Sequence, residues 1–141
     1  MTREVCLVAC SGLKIASAQG ELVAARDLYM ASDLFAKSRA YAEARCGEDW
    51  AILSAKHGLL MPFQKIDSYS LALSNMAADL RRAWAQNTRL QLLRTFGSTV
   101  RYVVLAGAYY RAALDGLQTE VPLLGMGIGQ QKSWLKRNVR S

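Results

Sequence analysis

Trp50-Ala51-Ile52-Leu53-Ser54-Ala55-Lys56-His57-Gly58-Leu59-Leu60-Met61-Pro62 decides how this chain folds. Trp50 to Leu53 is a short apolar run of the kind that fills a buried strand. It ends in Ser54-Ala55-Lys56-His57-Gly58, a small, polar and cationic turn, after which Leu59, Leu60 and Pro62 return the chain to apolar surface. In an open parallel sheet, ligands settle in the crevice at the carboxyl ends of the strands. Ser54, Lys56, His57 and Gly58 are therefore candidate walls of a site. The alternative is a plain turn in which Gly58 serves the backbone and Lys56 stays in water.

The same pattern recurs along the chain. Glu4 to Ala9 suits a strand buried on both faces and opens into Cys10-Ser11-Gly12-Leu13-Lys14. There Gly12 lets the backbone approach a ligand, Ser11 offers a hydroxyl and Lys14 a point charge; an ordinary strand-to-helix turn is the alternative. Arg101 to Ala106 reads as a third strand, running into Gly107-Ala108-Tyr109-Tyr110 and a short helix to about Leu117. Tyr109 or Tyr110 can stack on a base or sugar, or fill the core. Val121-Pro122-Leu123-Leu124 reads as a fourth, edge strand, since proline cannot donate to a ladder. It leads into Gly125-Met126-Gly127-Ile128-Gly129-Gln130-Gln131, an accommodating turn before a last helix at Lys132. Gly127, Gly129 and Gln130 are candidate ligand contacts there, with a flexible link as the alternative.

Helical segments separate these strands. Ser32 followed by Asp33-Leu34-Phe35 is a helix start, and Cys46-Gly47 is its end. Ahead of it, Tyr29 belongs either near the first loop or in the core. Ala16 to Glu21 reads as a loop. Phe63 to Leu73 reads as an ordered loop carrying Asp67 and Tyr69, with an Asx turn as the simpler account of Asp67. Met76, Leu80, Trp84, Leu92 and Phe96 mark the longest helix, whose Arg81, Arg82 and Arg89 form either a solvated face or a nucleic-acid surface. The tail at 136–141 is basic. Alternating strands and helices predict one α/β domain over 1–141, with a mostly parallel sheet of about four strands whose loops share one edge.

Bulk properties narrow the function. The 141 residues carry a net charge of +7, which favours polyanionic partners such as nucleotides or nucleic acid. No stretch approaches the ~20 apolar residues of a membrane span, and the apolar run after Met1 is too short for a signal peptide. Membrane partners are not expected. Three cysteines without paired spacing argue against a disulfide framework and for a reducing, cytoplasmic setting. With one histidine and scattered cysteines, no metal cluster and no cofactor is indicated.

Taken together, Leu53-Ser54-Ala55-Lys56-His57-Gly58-Leu59-Leu60-Met61-Pro62, Ile66-Asp67-Ser68-Tyr69-Ser70-Leu71, Ala9-Cys10-Ser11-Gly12-Leu13-Lys14 and Gly125 to Leu135 resemble the YaaA superfamily. The likeness is to its branch of small uncharacterised bacterial and phage proteins, and more distantly to archaeosine-synthase-like domains. His57 stands where a tyrosine is usual. The resemblance implies a Rossmann-like, three-layer core and a nucleic-acid or nucleobase context, with no agreed reaction.

Two functions fit this reading. One is an enzyme acting on a nucleoside, nucleotide or modified base, at its N-glycosidic bond. Asp67 would stabilise an oxocarbenium-like state or activate water. His57 would donate a proton, and Cys10 is an alternative nucleophile beside Lys14. Ser11, Lys14 and Ser54 would hold phosphate or sugar, and Tyr69 or Tyr109 the base. The other is a non-catalytic nucleic-acid-binding protein using Arg81, Arg82, Arg89, Lys132, Lys136 and Arg137.

Overall fold

Strand β1, Glu4–Ala9, is the centre of the molecule, and its unbroken apolar sequence follows from that place. It lies between β3, Trp50–Ser54, and β6, Arg101–Leu105, and is parallel to both. Cys6 pairs in register with Trp50 on one side and Val103 on the other. A strand with neighbours on both sides and helices on both faces has no polar face to present. The computed structural model describes residues 3–12, 14 and 21–139; the expected loop at 16–20, Leu13, and the end of the basic tail at 140–141 lie outside them.

The five-stranded sheet has the order β4-β3-β1-β6-β7, with β7 at Thr119–Glu120, and is parallel except for β4, Gly58–Leu60. β4 folds back antiparallel on β3, pairing Ser54 with Gly58, where the sequence reading expects only a return to apolar surface. Gly58 makes that hairpin possible at φ +74°, in the left-handed region. The expected strand at Val121–Leu124 is a turn instead, and the edge strand β7 lies just before it at Thr119–Glu120. Pro122, without an N–H, cannot extend the ladder.

Alternation along β1 sends residues to two cores. Cys6 and Val8 pack with Ile52, Val103 and Leu105 under α2, Asp33–Cys46, and α5, Ile128–Asn138. Val5 and Leu7 pack with Leu53, Val104 and Leu92 under α3, Ala78–Thr95. The helix start expected at Ser32 is present: Ser32 Oγ accepts from Phe35 N at 3.2 Å. α2 ends where expected, at Gly47, φ +62°. α5 begins earlier than expected, so Gly129 and Gln130 are in its first turn, and Gln130 Oε1 accepts from Gly127 N at 3.0 Å. At its other end Lys136 and Arg137 belong to the last helical turn rather than a tail, where cations complement the helix dipole.

Two short strands, β2 at Val23–Ala24 and β5 at Lys65–Ile66, form a separate antiparallel ladder. They link the four-residue helix α1, Ala25–Leu28, to the expected loop around Tyr69. Helix α4, Ala108–Arg111, follows β6. Among the described residues, no helix is long and apolar enough to cross a membrane.

Candidate functional site

Three parallel strands end side by side, β3 in Ser54, β1 in Ala9 and β6 in Leu105. The chain leaves β1 towards β3 through α2, and leaves β6 towards β7 through α4, so the two connections diverge. Such a divergence opens a crevice at the carboxyl ends of the two adjacent strands. A cavity of about 140 Å³ lies there, lined in part by Cys10, Ser11, Ser32, Phe35 and Gly107.

A chain of hydroxyls runs beside it. Ser54 Oγ accepts from the backbone N–H groups of Lys56 (3.3 Å) and His57 (3.1 Å) and lies 2.7 Å from the Tyr69 hydroxyl. With both lone pairs engaged, Ser54 donates its proton to Tyr69. The Tyr69 hydroxyl is in turn hydrogen-bonded to the Tyr29 hydroxyl at 2.6 Å. Tyr29 therefore serves both roles the sequence leaves open: its side chain is fully buried, and its hydroxyl joins the strand-end cluster. Burial pushes the Tyr29 phenol up to about 12 and raises those of Tyr69 and Tyr110 as well, so all three are neutral at pH 7.

The Lys14 ammonium lies 4.5 Å from the centre of the Tyr69 ring and 5.9 Å from that of Tyr29. Burial lowers its pKa from the usual lysine value. Cys10 Sγ lies 3.4 Å from the Tyr110 hydroxyl. Trp84 closes the arrangement from α3: its indole N–H donates to Ser54 O at 2.9 Å, and its ring meets Tyr110 edge-on.

Charge is distributed unevenly between the two edges of the sheet. At the amino edge Arg3 pairs with Asp49, and Arg45 with Glu4 and Glu120. At the carboxyl edge Lys14 and Lys56 meet no carboxylate among the described residues, and what surrounds Lys14 is aromatic ring and hydroxyl. Such an edge favours an anion that also accepts and donates hydrogen bonds.

The remaining candidate residues divide among several places. Gly12 is exposed near the cleft. Asp67 is exposed, with Oδ1 accepting from Ser68 N at 2.9 Å, the simple local turn, and it does not line the β1–β6 cavity. His57 stands edge-on to Tyr69 but faces α3, where Lys56, His57, Gly58, Thr88 and Arg94 line a second cavity of about 340 Å³. His57 Nε2 and Thr88 Oγ1 are buried there without a hydrogen-bond partner among the described residues. Burial and the Lys56 charge lower the His57 pKa. Gly129, Gln130 and Arg137 line a third cavity, against Trp134, and Gly127 caps α5.

The expected basic surface is split by the sheet. Arg81, Arg82 and Arg89 lie on α3 over one face, while Lys132, Lys136 and Arg137 lie on α5 over the other. Lys132 is also paired with Asp33. Gln91 is a site residue that the sequence does not announce. Its Oε1 accepts from Leu59 N and its amide reaches His57 O, fixing the turn from 32 and 34 residues away in the sequence. Among the described residues, no group of three or more His, Cys, Asp or Glu is placed to hold a metal ion.

A family model described as a family of unknown function, DUF6884, matches residues 5–137, nearly the whole chain. No curated protein and no solved structure matches. The family's description names no activity and does not bear on the resemblance to the YaaA superfamily.

Proposed function

The chain belongs to the DUF6884 family of unknown function, and we propose that it binds a nucleoside phosphate at the carboxyl edge of its sheet and acts on it as an enzyme. One observation carries the binding step: the Ser54–Tyr69–Tyr29 hydroxyl chain, with the Lys14 ammonium against it, stands beside the crevice between β1 and β6. In this reading Lys14 and Ser11 hold phosphate, and the hydroxyl chain meets the sugar or base edge. The Rossmann-like layout expected from the resemblance belongs to the same proposal.

The reaction we assign is cleavage or transfer at the N-glycosidic bond. It needs a carboxylate near the anomeric carbon, and Asp67, two residues from Tyr69, is the one the loop supplies. Asp67 lies outside the lining of the cavity, so binding rests on the geometry while the reaction rests on that single residue.

A thermal-shift screen of nucleosides and nucleotides, followed by chromatography for released base, tests both steps. A nucleotide should raise the melting temperature of the wild type, and the shift should vanish in Lys14→Ala. Base release should vanish in Asp67→Asn while the shift remains. A shift that survives both Lys14→Ala and Ser54→Ala would overturn the site, and unchanged turnover in Asp67→Asn would overturn the reaction.

A further inference from the structure

A second group of cations lies on α3, outside the hydroxyl chain. Arg81, Arg82 and Arg89 line a cleft of about 560 Å³ between α3 and α4. Ala85, Ala112 and Asp115 also line it. Some surface cations are neutralised by carboxylates, as Arg3, Lys37, Arg39, Arg45 and Lys132 are. Among the described residues Arg81, Arg82 and Arg89 form no ion pair. Arg81 donates to Met76 O and Arg89 to Asp115 O, both backbone carbonyls, which orient the guanidinium groups without cancelling their charge.

The cleft also carries an aromatic surface. Tyr109 is 50% exposed and supports the Arg81 guanidinium 4.5 Å from its ring centre. A stacked guanidinium and an open tyrosine face are the two platforms on which unpaired bases settle, while free arginines take the phosphates. A duplex keeps its base faces covered and would leave Tyr109 unused.

We infer that the α3–α4 cleft binds single-stranded nucleic acid, with a base stacked at Tyr109 and Arg81 and the backbone held by Arg82 and Arg89. This surface stands independently of the strand-edge reading. The two are nonetheless neighbours, because Tyr110, the next residue, reaches Cys10. A strand held at Tyr109 would lie beside the carboxyl edge.

Fluorescence anisotropy with labelled single-stranded oligonucleotides, DNA and RNA, at low and moderate salt tests the inference. The wild type should bind with steep salt dependence. Arg82→Ala, whose side chain makes no hydrogen bond to the fold among the described residues, should flatten the logarithmic salt slope by roughly 0.7 to 1. Tyr109→Ala should weaken binding by about 5- to 150-fold, the value of one stacked base. Lys136→Ala, on the opposite face, should change little, and Lys14→Ala should leave the effects of Arg82→Ala and Tyr109→Ala in place. Absence of binding at low salt would overturn the inference, as would equal affinity for a duplex of the same length. So would binding indifferent to both cleft variants, or displacement by a free mononucleotide at the strand's own affinity, which would make the cleft a mononucleotide site.

Discussion

Ser54 Oγ stands 2.7 Å from the Tyr69 hydroxyl, a bond that ties the end of the buried strand β3 to a loop 15 residues later. The bond fixes where that loop crosses the carboxyl edge, because Tyr69 is held by Tyr29 on its other side. Tyr69→Phe leaves Ser54 and Tyr29 without their shared partner, and buried groups so abandoned cost about 1–3 kcal/mol. The expected result is a fall of that size in unfolding free energy by urea titration, with the denaturant slope unchanged. Tyr29→Phe, which removes only the hydroxyl at the end of the chain, should cost less. Equal stability of Tyr69→Phe and wild type would show that the hydroxyl chain contributes nothing to the edge.

Gly58 offers a sharper test of the turn that faces α3. Its φ of +74° disfavours any side chain, and an added Cβ would lie 2.1 Å from Gln91 Oε1 and 2.9 Å from Thr88 Oγ1. Gly58→Ala must therefore displace Gln91, which holds Leu59 N and His57 O. Backbone strain of this kind costs about 1–3 kcal/mol, and lost hydrogen bonds about 1 kcal/mol each. Gly58→Ala should lose stability at the upper end of that range, whereas Gly97→Ala, with a similar φ of +85° and open space around it, should lose only the strain. Equal losses would mean that the Gln91 contact is dispensable.

The strands β1, β3 and β6 and the helices α2 and α3 are legible in the sequence because local signals agree with their place in the fold. Glu4–Ala9 has no polar face, and it is central. Ser32, Asp33 and Gly47 mark both ends of α2. What the sequence hides depends on distant pairing. β4 is only three residues and exists because Ser54 and Gly58 close a hairpin; β7 is two residues placed by Tyr102 and Val103. The site divides along the same line. Cys10, Ser11, Lys14, Ser54 and Gly107 belong to strand ends and are legible from alternation alone. Gln91 and Trp84 sit on α3 among other polar and apolar helix residues, and their roles arise only once α3 lies against the turn. His57 follows β3 as expected, yet turns towards α3 because the hairpin turns it there.

Cys6 and Cys46 show the same dependence on tertiary structure. Their spacing suggests no pairing, but α2 brings Cys46 Sγ to 2.8 Å from Cys6 Sγ, both thiols free. Hydrogen bonding and burial push Cys6 up, while the bond from Cys6 holds Cys46 below the ordinary thiol value, making Cys46 the readier nucleophile. Diamide, a two-electron oxidant, should take two protons and two electrons from the pair and join them. Intact mass should fall by two hydrogens, and Cys46→Ser should abolish the change while Cys10→Ser leaves it. Closing a loop across 40 residues should add about 3–4 kcal/mol of stability. A pair that stays reduced under diamide in the unfolded as well as the native protein would refute this; so would cross-linking that survives Cys46→Ser.

His57 makes stability depend on pH in a direction that can be worked out. Burial and the Lys56 charge hold its folded pKa below the ordinary 6.5. In the window just below 6.5 the unfolded chain therefore binds a proton that the folded chain refuses, and stability falls as pH falls. Above 6.5 both states are neutral and the contribution is flat. Carboxylates such as Asp49 and Glu120, held low by Arg3 and Arg45, lose their contribution only at more acidic pH. The expected outcome is a urea midpoint that declines from pH 7 to pH 5 in the wild type and declines less in His57→Gln. Lys56→Ala, which removes one of the two causes of the shift, should also decline less while keeping the imidazole. Parallel pH curves for wild type and His57→Gln would place the imidazole in water and remove it from the α3 cavity.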